Sequence, residues 1–179
     1  HEPKRVIFLG PNHFQNVDYF PTLKIPENDP NIVLSFHFYI PHLVTHYKAS
    51  WSNIRDYNGP VQYPGIPIAP DDTVGYDLKL RSILEHYMHE YMDRNYLEKR
   101  LQPALVKAKA TNRQLYCGEF GCLPNVSEAA RNTWFKDLIS LLEENNIAWS
   151  IWDFKSSGFG VFRAEDWSFA IPREILFLE

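Results

Sequence analysis

Four short apolar runs, each stopped by a turn or a polar residue, constrain the fold of this chain more than any other feature. They are residues 6–9 ahead of Gly10-Pro11-Asn12, 32–39 ahead of Pro41, 114–120 ahead of Gly121, and 147–152 ahead of Asp153-Phe154-Lys155. Runs of this length and bounding read as buried strands. The first and last are almost wholly apolar, as expected of parallel strands covered on both faces. Between the second and third, Leu80, Ile83, Leu84, Tyr87, Met88 and Tyr91 recur at helical spacing. Leu97, Leu101 and Leu105 continue that stripe across a break near Asn95 or a bend at Pro103. A further helix is predicted from an N-cap at Ser127 to Glu144, with Trp134, Leu138, Leu141 and Leu142 on one face, and a short one from Pro172 with Ile175 and Leu176. Segment 41–72, dotted with Pro and Gly, predicts a loop too long to be idle in a compact domain. Strands alternating with helices imply an α/β fold with a parallel sheet. The 179 residues are read as one domain, 1–179.

Composition narrows what such a sheet can serve. Apolar residues are 45% and charged residues 22% of the chain, which excludes disorder or a collagen-like repeat throughout. No stretch reaches the roughly 18 apolar residues of a membrane crossing, so no membrane partner is expected. A net charge of −4, with no more than two Lys or Arg in a row, argues against nucleic acid. Cys117 and Cys122 are too few for a disulfide framework or a four-ligand zinc site. Their placement, strand then loop, argues against a bridge between them, and the redox compartment stays open. The first residues lack the basic-then-apolar pattern of a secretory signal, as a mature chain also would. Aromatics are the outlier at 15%, with five Trp and ten Tyr. Flat exposed rings are surfaces on which the C–H faces of sugars stack.

Ligands of parallel β/α folds bind at the carboxyl ends of the strands. Those ends carry Asn12 and His13; His37 and Tyr39; Glu119; and Trp152, Asp153 and Lys155. Glu119 ends an apolar strand between Gly118 and Phe120, where a carboxylate needs a partner. A plain salt bridge would explain Glu119 taken alone; the other three strand ends tip the balance toward chemistry. Alternation puts His37 and Tyr39 on one strand face. An imidazole and a phenol beside a carboxylate can orient it and hold it ionised. Elsewhere, His86, His89 and Glu90 miss the His-Glu-x-x-His zinc spacing because residue 93 is Asp. Asp71-Asp72 reads as a helix start and not a calcium loop, so neither metal nor organic cofactor is expected. Asn125-Val126-Ser127 is a glycosylation sequon of a kind too frequent by chance to inform. Met88, Met92, Trp134 and Trp149 are assigned to the core, and Trp51 and Trp167, in polar loops, to sugar contact.

Four blocks give the chain a specific likeness: Phe8-Leu9-Gly10-Pro11-Asn12; residues 31–41 (NIVLSFHFYIP); Thr45-His46 with Trp51; and Gly118-Glu119-Phe120-Gly121 followed by Trp149-Ser150-Ile151-Trp152-Asp153-Phe154-Lys155. Together they resemble the C-terminal half of a glycoside hydrolase family 5 endoglucanase of the cellulase type. Their order matches strands five to eight of that family's barrel, over nearly the whole chain. The resemblance implies half of a TIM (β/α)8 barrel, four parallel β/α units, and a retaining hydrolase of β-1,4-linked glucan. It implies Glu119 as nucleophile, Tyr39 hydrogen-bonded to that carboxylate, and His37 arranging the acid/base side. Trp152 would stack on the sugar at the cleavage point, and Lys155, Trp51, His46 and Asn12 would touch substrate. A β-glucan polysaccharide or oligosaccharide partner and a secreted or cell-surface location follow from the same likeness. Ile40, where many relatives carry an acid, and Tyr47-Lys48 after Thr-His depart from the family pattern. They bear on subfamily and substrate more than on the nucleophile.

A retaining glycosidase needs two carboxyl groups about 5–5.5 Å apart. The family's acid/base Glu follows an Asn at the end of the fourth strand, and no such pair occurs here; Asn28 precedes Asp29 in a loop. Four β/α units cannot close a barrel that takes about 250 residues. A four-stranded parallel sheet also leaves two apolar edges, near 6–9 and 147–152, with unpaired backbone groups. The expectation is completion by a second copy around a two-fold or by a complementing half-barrel chain, with weak turnover; a truncated gene is the other alternative. The competing reading is a non-catalytic glycan-binding half-barrel.

Overall fold

Strands β1 (Ile7–Leu9), β2 (Ile32–Phe38), β3 (Leu115–Phe120) and β4 (Ala148–Trp149) lie side by side in chain order, every neighbouring pair parallel. The computed structural model describes residues 2, 4–155, 158–163 and 165–177. The fourth strand is shorter than its apolar run, yet backbone bonds from Ser150 N to Cys117 O (2.9 Å) and Trp152 N to Phe120 O (2.7 Å) carry the pairing on to Trp152.

Helices follow the predicted plan with one division. After β1 comes a single turn, α1 (Asn12–Gln15), and then a 3₁₀ helix over Val17–Thr22 in place of a long crossover helix. After β2 come α2 (His42–Thr45), a 3₁₀ turn at Pro70–Thr73, α3 (Leu78–Leu84), a second 3₁₀ turn at Glu85–Met88, and α4 (Arg94–Thr111). The long stripe is thus two helices, each with its own start. Asp77 accepts from Leu80 N (2.8 Å) and Asp93 from Tyr96 N (2.9 Å), so the interruption falls just ahead of Asn95. Pro103 lies inside α4 without ending it. The Asp71-Asp72 pair opens the 3₁₀ turn, Asp72 Oδ2 accepting from Ala69 N at 2.9 Å. Ser127 caps α5 (Glu128–Glu144) as predicted, and α6 (Arg173–Leu176) follows Pro172.

One face of the sheet holds the core. Leu34, Phe36 and Phe38 of β2, with Leu115, Cys117 and Phe120 of β3, are buried against Leu97 and Leu101 of α4 and Trp134, Phe135 and Leu138 of α5. Phe120 meets the Trp134 and Phe135 rings at 6.3 and 6.2 Å. Trp134 Nε1 donates to Ile40 O (2.9 Å), and Tyr63 donates to Asp137 Oδ2 (2.8 Å), tying the long loop to α5. Met92 is fully buried and Met88 packs beside the core. Cys117 and Cys122 are buried and unbridged.

The outer strands correct the expectation of cover on both faces. Val6, Ile7 and Phe8 are 54%, 43% and 58% exposed. Both β1 and β4 are edges, and among the described residues no further strand pairs beyond them. Phe8 meets Tyr116 of β3 at 5.0 Å between ring centres on the face opposite the helices. Among the described residues no helix is long and apolar enough to cross a membrane.

Candidate active site

Strict alternation along β3 would turn Glu119 toward the helices with Leu115 and Cys117. The register prevents this. Phe36 pairs with Cys117, the next pair is His37 with Glu119, and Gly118 is left over as a bulge. A bulge re-aims the side chains that follow it, and here it returns Phe120 to the core and puts Glu119 on the His37 side. Gly118 suits the position: a Cβ there would lie 3.1 Å from Ser35 Oγ and 3.2 Å from the Tyr116 ring. The Gly118 carbonyl accepts from Ser150 Oγ (2.7 Å), which itself accepts from the Tyr116 hydroxyl (2.8 Å). The bulge is therefore braced by two neighbouring residues.

His37 Nδ1 lies 2.6 Å from Glu119 Oε2, with about a fifth to a quarter of each side chain exposed. A carboxylate only accepts, so Nδ1 carries the proton. Burial lowers the His37 pKa more than the adjacent carboxylate raises it. The pair at neutral pH is accordingly a neutral imidazole donating to a carboxylate. Burial, and then the charges of Glu119, Cys117 and Asp153, push the Tyr39 phenol upward, so it remains a proton donor. The hydrogen bond expected from Tyr39 to Glu119 is not among those the described residues form. The Tyr39 ring is set instead by edge contacts with His46 (5.0 Å) and Phe159 (5.8 Å), and it senses Glu119 through charge.

Trp152, His46, Trp51 and Asn12 lie at the ends of the strand runs or in the segments that follow them. Trp152 is 44% exposed at the end of the last run, after Gly121. A Cβ on Gly121 would lie 2.3 Å from the Trp152 carbonyl, so glycine is what lets these segments meet. His46 and Trp51 form a shelf with Phe159; their rings are 6.4 Å apart, and Trp51 is 64% exposed. Asn12 is exposed in α1, next to His13, Phe14 and Gln15, which have φ of 57°, 59° and 57°. Asn16, just beyond, bridges to His37 and brings this turn to the strand tips. Lys155 stands apart: its Nζ sits 3.2 Å from the centre of the Trp167 ring, which also neighbours Phe154 and Phe162. Phe159 and His42 escaped the sequence reading because neither lies in a periodic run or a motif, and Ser150, inside the last run, carried no sign of its bond to Gly118. Gly118 did carry a signal, an isolated glycine inside a strand. Among the described residues no group of three or more His, Cys, Asp or Glu is placed to hold a metal ion.

Comparison with known proteins identifies the family and the fold. A model of the family Cellulase (glycosyl hydrolase family 5) matches residues 1–158. Endoglucanase C of Acetivibrio thermocellus is 33% identical over 162 residues, which are 90% of this chain and 47% of that protein. Cellodextrinase A of Ruminococcus flavefaciens is 26% identical over 146 residues, 82% of this chain and 36% of that one. The crystal structure of the clostridial cellulose synthase subunit Z from Clostridioides difficile superposes with a TM-score of 0.70 at 26% identity, over 93% of this chain and 47% of the other. A hyperthermophilic endo-beta-1,4-glucanase in complex with substrate gives a TM-score of 0.67 at 25% identity, over 95% and 46%. The chain spans about half the length of the curated endoglucanase it matches.

Proposed function

Because the chain belongs to the cellulase family, glycosyl hydrolase family 5, we propose that it is the nucleophile-bearing half of a retaining β-1,4-glucan hydrolase. The observation that carries this reading is the 2.6 Å contact between His37 and Glu119 at adjacent strand tips. Glu119 attacks the anomeric carbon, a carboxylate–carbon bond forms as the glycosidic C–O bond breaks, and the leaving oxygen takes a proton from an acid. Water then cleaves the glycosyl-enzyme and restores the carboxylate. His37, donating to Glu119, keeps it aimed. Trp152 offers a stacking face at the cleavage point, and Trp51, Asn12 and Lys155 contact sugars further along.

The acid is assigned to the complementing half of the barrel, whether that half belongs to the same protein, to a second copy or to another chain. The exposed edge at Val6, Ile7 and Phe8 supports that assignment, since an unpaired apolar strand invites a neighbour. General acid help is worth roughly 10²–10⁴-fold, so the chain alone turns over slowly and favours substrates whose leaving group needs no proton. An insoluble glucan would place the protein outside the cell or at its surface.

A nitrophenyl β-cellobioside is the appropriate assay. Glu119→Gln abolishes its turnover on this reading, and an unchanged rate removes Glu119 from the mechanism. Exposed Trp51, Trp152 and Trp167 favour one alternative, a glycan-binding half-barrel without chemistry. Retardation in glucan affinity gels with no product released would select it.

A further inference from the structure

Thr45 ends α2 fully buried, and its hydroxyl has four polar neighbours. They are the carbonyls of Tyr39 (3.0 Å), Pro41 (3.3 Å) and His42 (3.4 Å), and Nδ1 of His46 (2.9 Å). The hydroxyl has one proton to give. The Pro41 carbonyl already accepts from the Val44 and Thr45 amides, and the His42 carbonyl from the His46 amide. Among the described residues the Tyr39 carbonyl has no other donor. The proton therefore goes to Tyr39, and Thr45 Oγ1 accepts from Nδ1–H of His46. That fixes the His46 tautomer and leaves Nε2 unprotonated.

The imidazole is held on its other sides as well. Its face stacks on His42 at 4.1 Å and 24°, and His42 Nε2 is 3.0 Å from Ser52 Oγ. Its ring meets Tyr39 at 5.0 Å and 72°. Burial, reinforced by His42, lowers the His46 pKa to about 3, and burial lowers that of His42. The two rings stack without mutual repulsion because both stay neutral.

The family resemblance put His46 among the sugar contacts. We propose a different role: Thr45 and His46 form one positioning unit for Tyr39, the hydroxyl fixing its backbone and the imidazole its ring, so that the phenol stays at the flank of Glu119. Neither residue has to touch substrate. The assignment rests on the reading of Glu119 and Tyr39 as a catalytic pair only where rate is concerned.

The test uses the full chain with ¹⁵N-labelled histidine and ¹³C-labelled tyrosine, the Tyr39 signal being identified by Tyr39→Phe. Expected in the wild type are an Nδ1–H tautomer of His46 from pH 8 to 5 and a shift of the Tyr39 resonance on Glu119→Gln. Thr45→Ser keeps both. Thr45→Val admits the Nε2–H tautomer and at least halves the Tyr39 response. It also lowers kcat for nitrophenyl cellobioside by roughly 10- to 100-fold with KM little changed, and Ser restores it. Should Thr45→Val not fold, His46→Gln serves, with the same expected loss of the Tyr39 response. An Nε2–H tautomer in the wild type, or equal Tyr39 responses in all variants, overturns the proposal. A wild type without turnover that nevertheless shows the expected spectra sinks the hydrolase reading and upholds the positioning unit.

Discussion

Three imidazoles within a few residues of the strand tips are kept uncharged, and each is held by a different neighbour. His37 gives its proton to Glu119, His46 to Thr45, and His42 is linked to Ser52. Their burial makes the protein sensitive to acid in a calculable direction. The folded-state pKa of His46 lies at about 3, against about 6.5 unfolded, so below 6.5 the unfolded chain takes up a proton that the native state refuses. Stability is whole above that pH and falls as the pH drops toward about 3. For one such group the slope approaches ~1.4 kcal/mol per pH unit. Thermal unfolding followed between pH 7 and 4.5 should show a falling Tm, with a smaller fall in His46→Gln; parallel curves would contradict the burial of a neutral His46. The candidate residues themselves were readable: Glu119, His37 and Tyr39 stand at strand ends in the chain's own pattern. The tautomer of His46 was not, because it depends on a hydroxyl shared among carbonyls that only the folded turn brings together.

At the level of elements, the decisive object is the bulge in β3. The run 114–120 was legible as a strand with Glu119 at its ligand-binding end, but the sequence carried no account of how the side chain turns to the His37 side. Only pairing with β2 shows that Gly118 is skipped. Ser150 holds that skip by donating to the Gly118 carbonyl and accepting from Tyr116. Ser150→Ala leaves a half-buried carbonyl without its donor and a phenol without its acceptor, costing about 1–3 kcal/mol. The expected signature is a lower urea midpoint together with a weaker His37–Glu119 contact, read as a rise in exchange of the His37 ring proton. A midpoint unchanged within error would mean the bulge stands without its brace. The helices show the opposite balance. Ser127 and its α5 were fixed by a cap and a stripe, whereas the stripe of α3 and α4 left their boundary open between a break near Asn95 and a bend at Pro103 because the apolar positions run on through the gap. The caps at Asp77 and Asp93 divide them, and an Asp is a weak mark when it sits beside a continuing stripe.

For the molecule as a whole, the main core lies between the sheet, its helices and the long loop after β2, while the sheet's other face shows Phe8 and the partly exposed Tyr116. Large exposed apolar groups at a strand edge favour association. Sedimentation at tens of micromolar should therefore reveal self-association, and Phe8→Asp should reduce it without lowering Tm appreciably; a monodisperse monomer at that concentration would exclude a second copy as the completing half. The order of the four strands was legible from their punctuation, and so was the exposure of two edges. Which groups look outward from those edges required the register. That division of labour makes the polypeptide a natural cassette. Foreign half-barrels could be set against the exposed edge at Val6, Ile7 and Phe8 and screened for new proton donors, with the helix-covered face of the sheet left as it is.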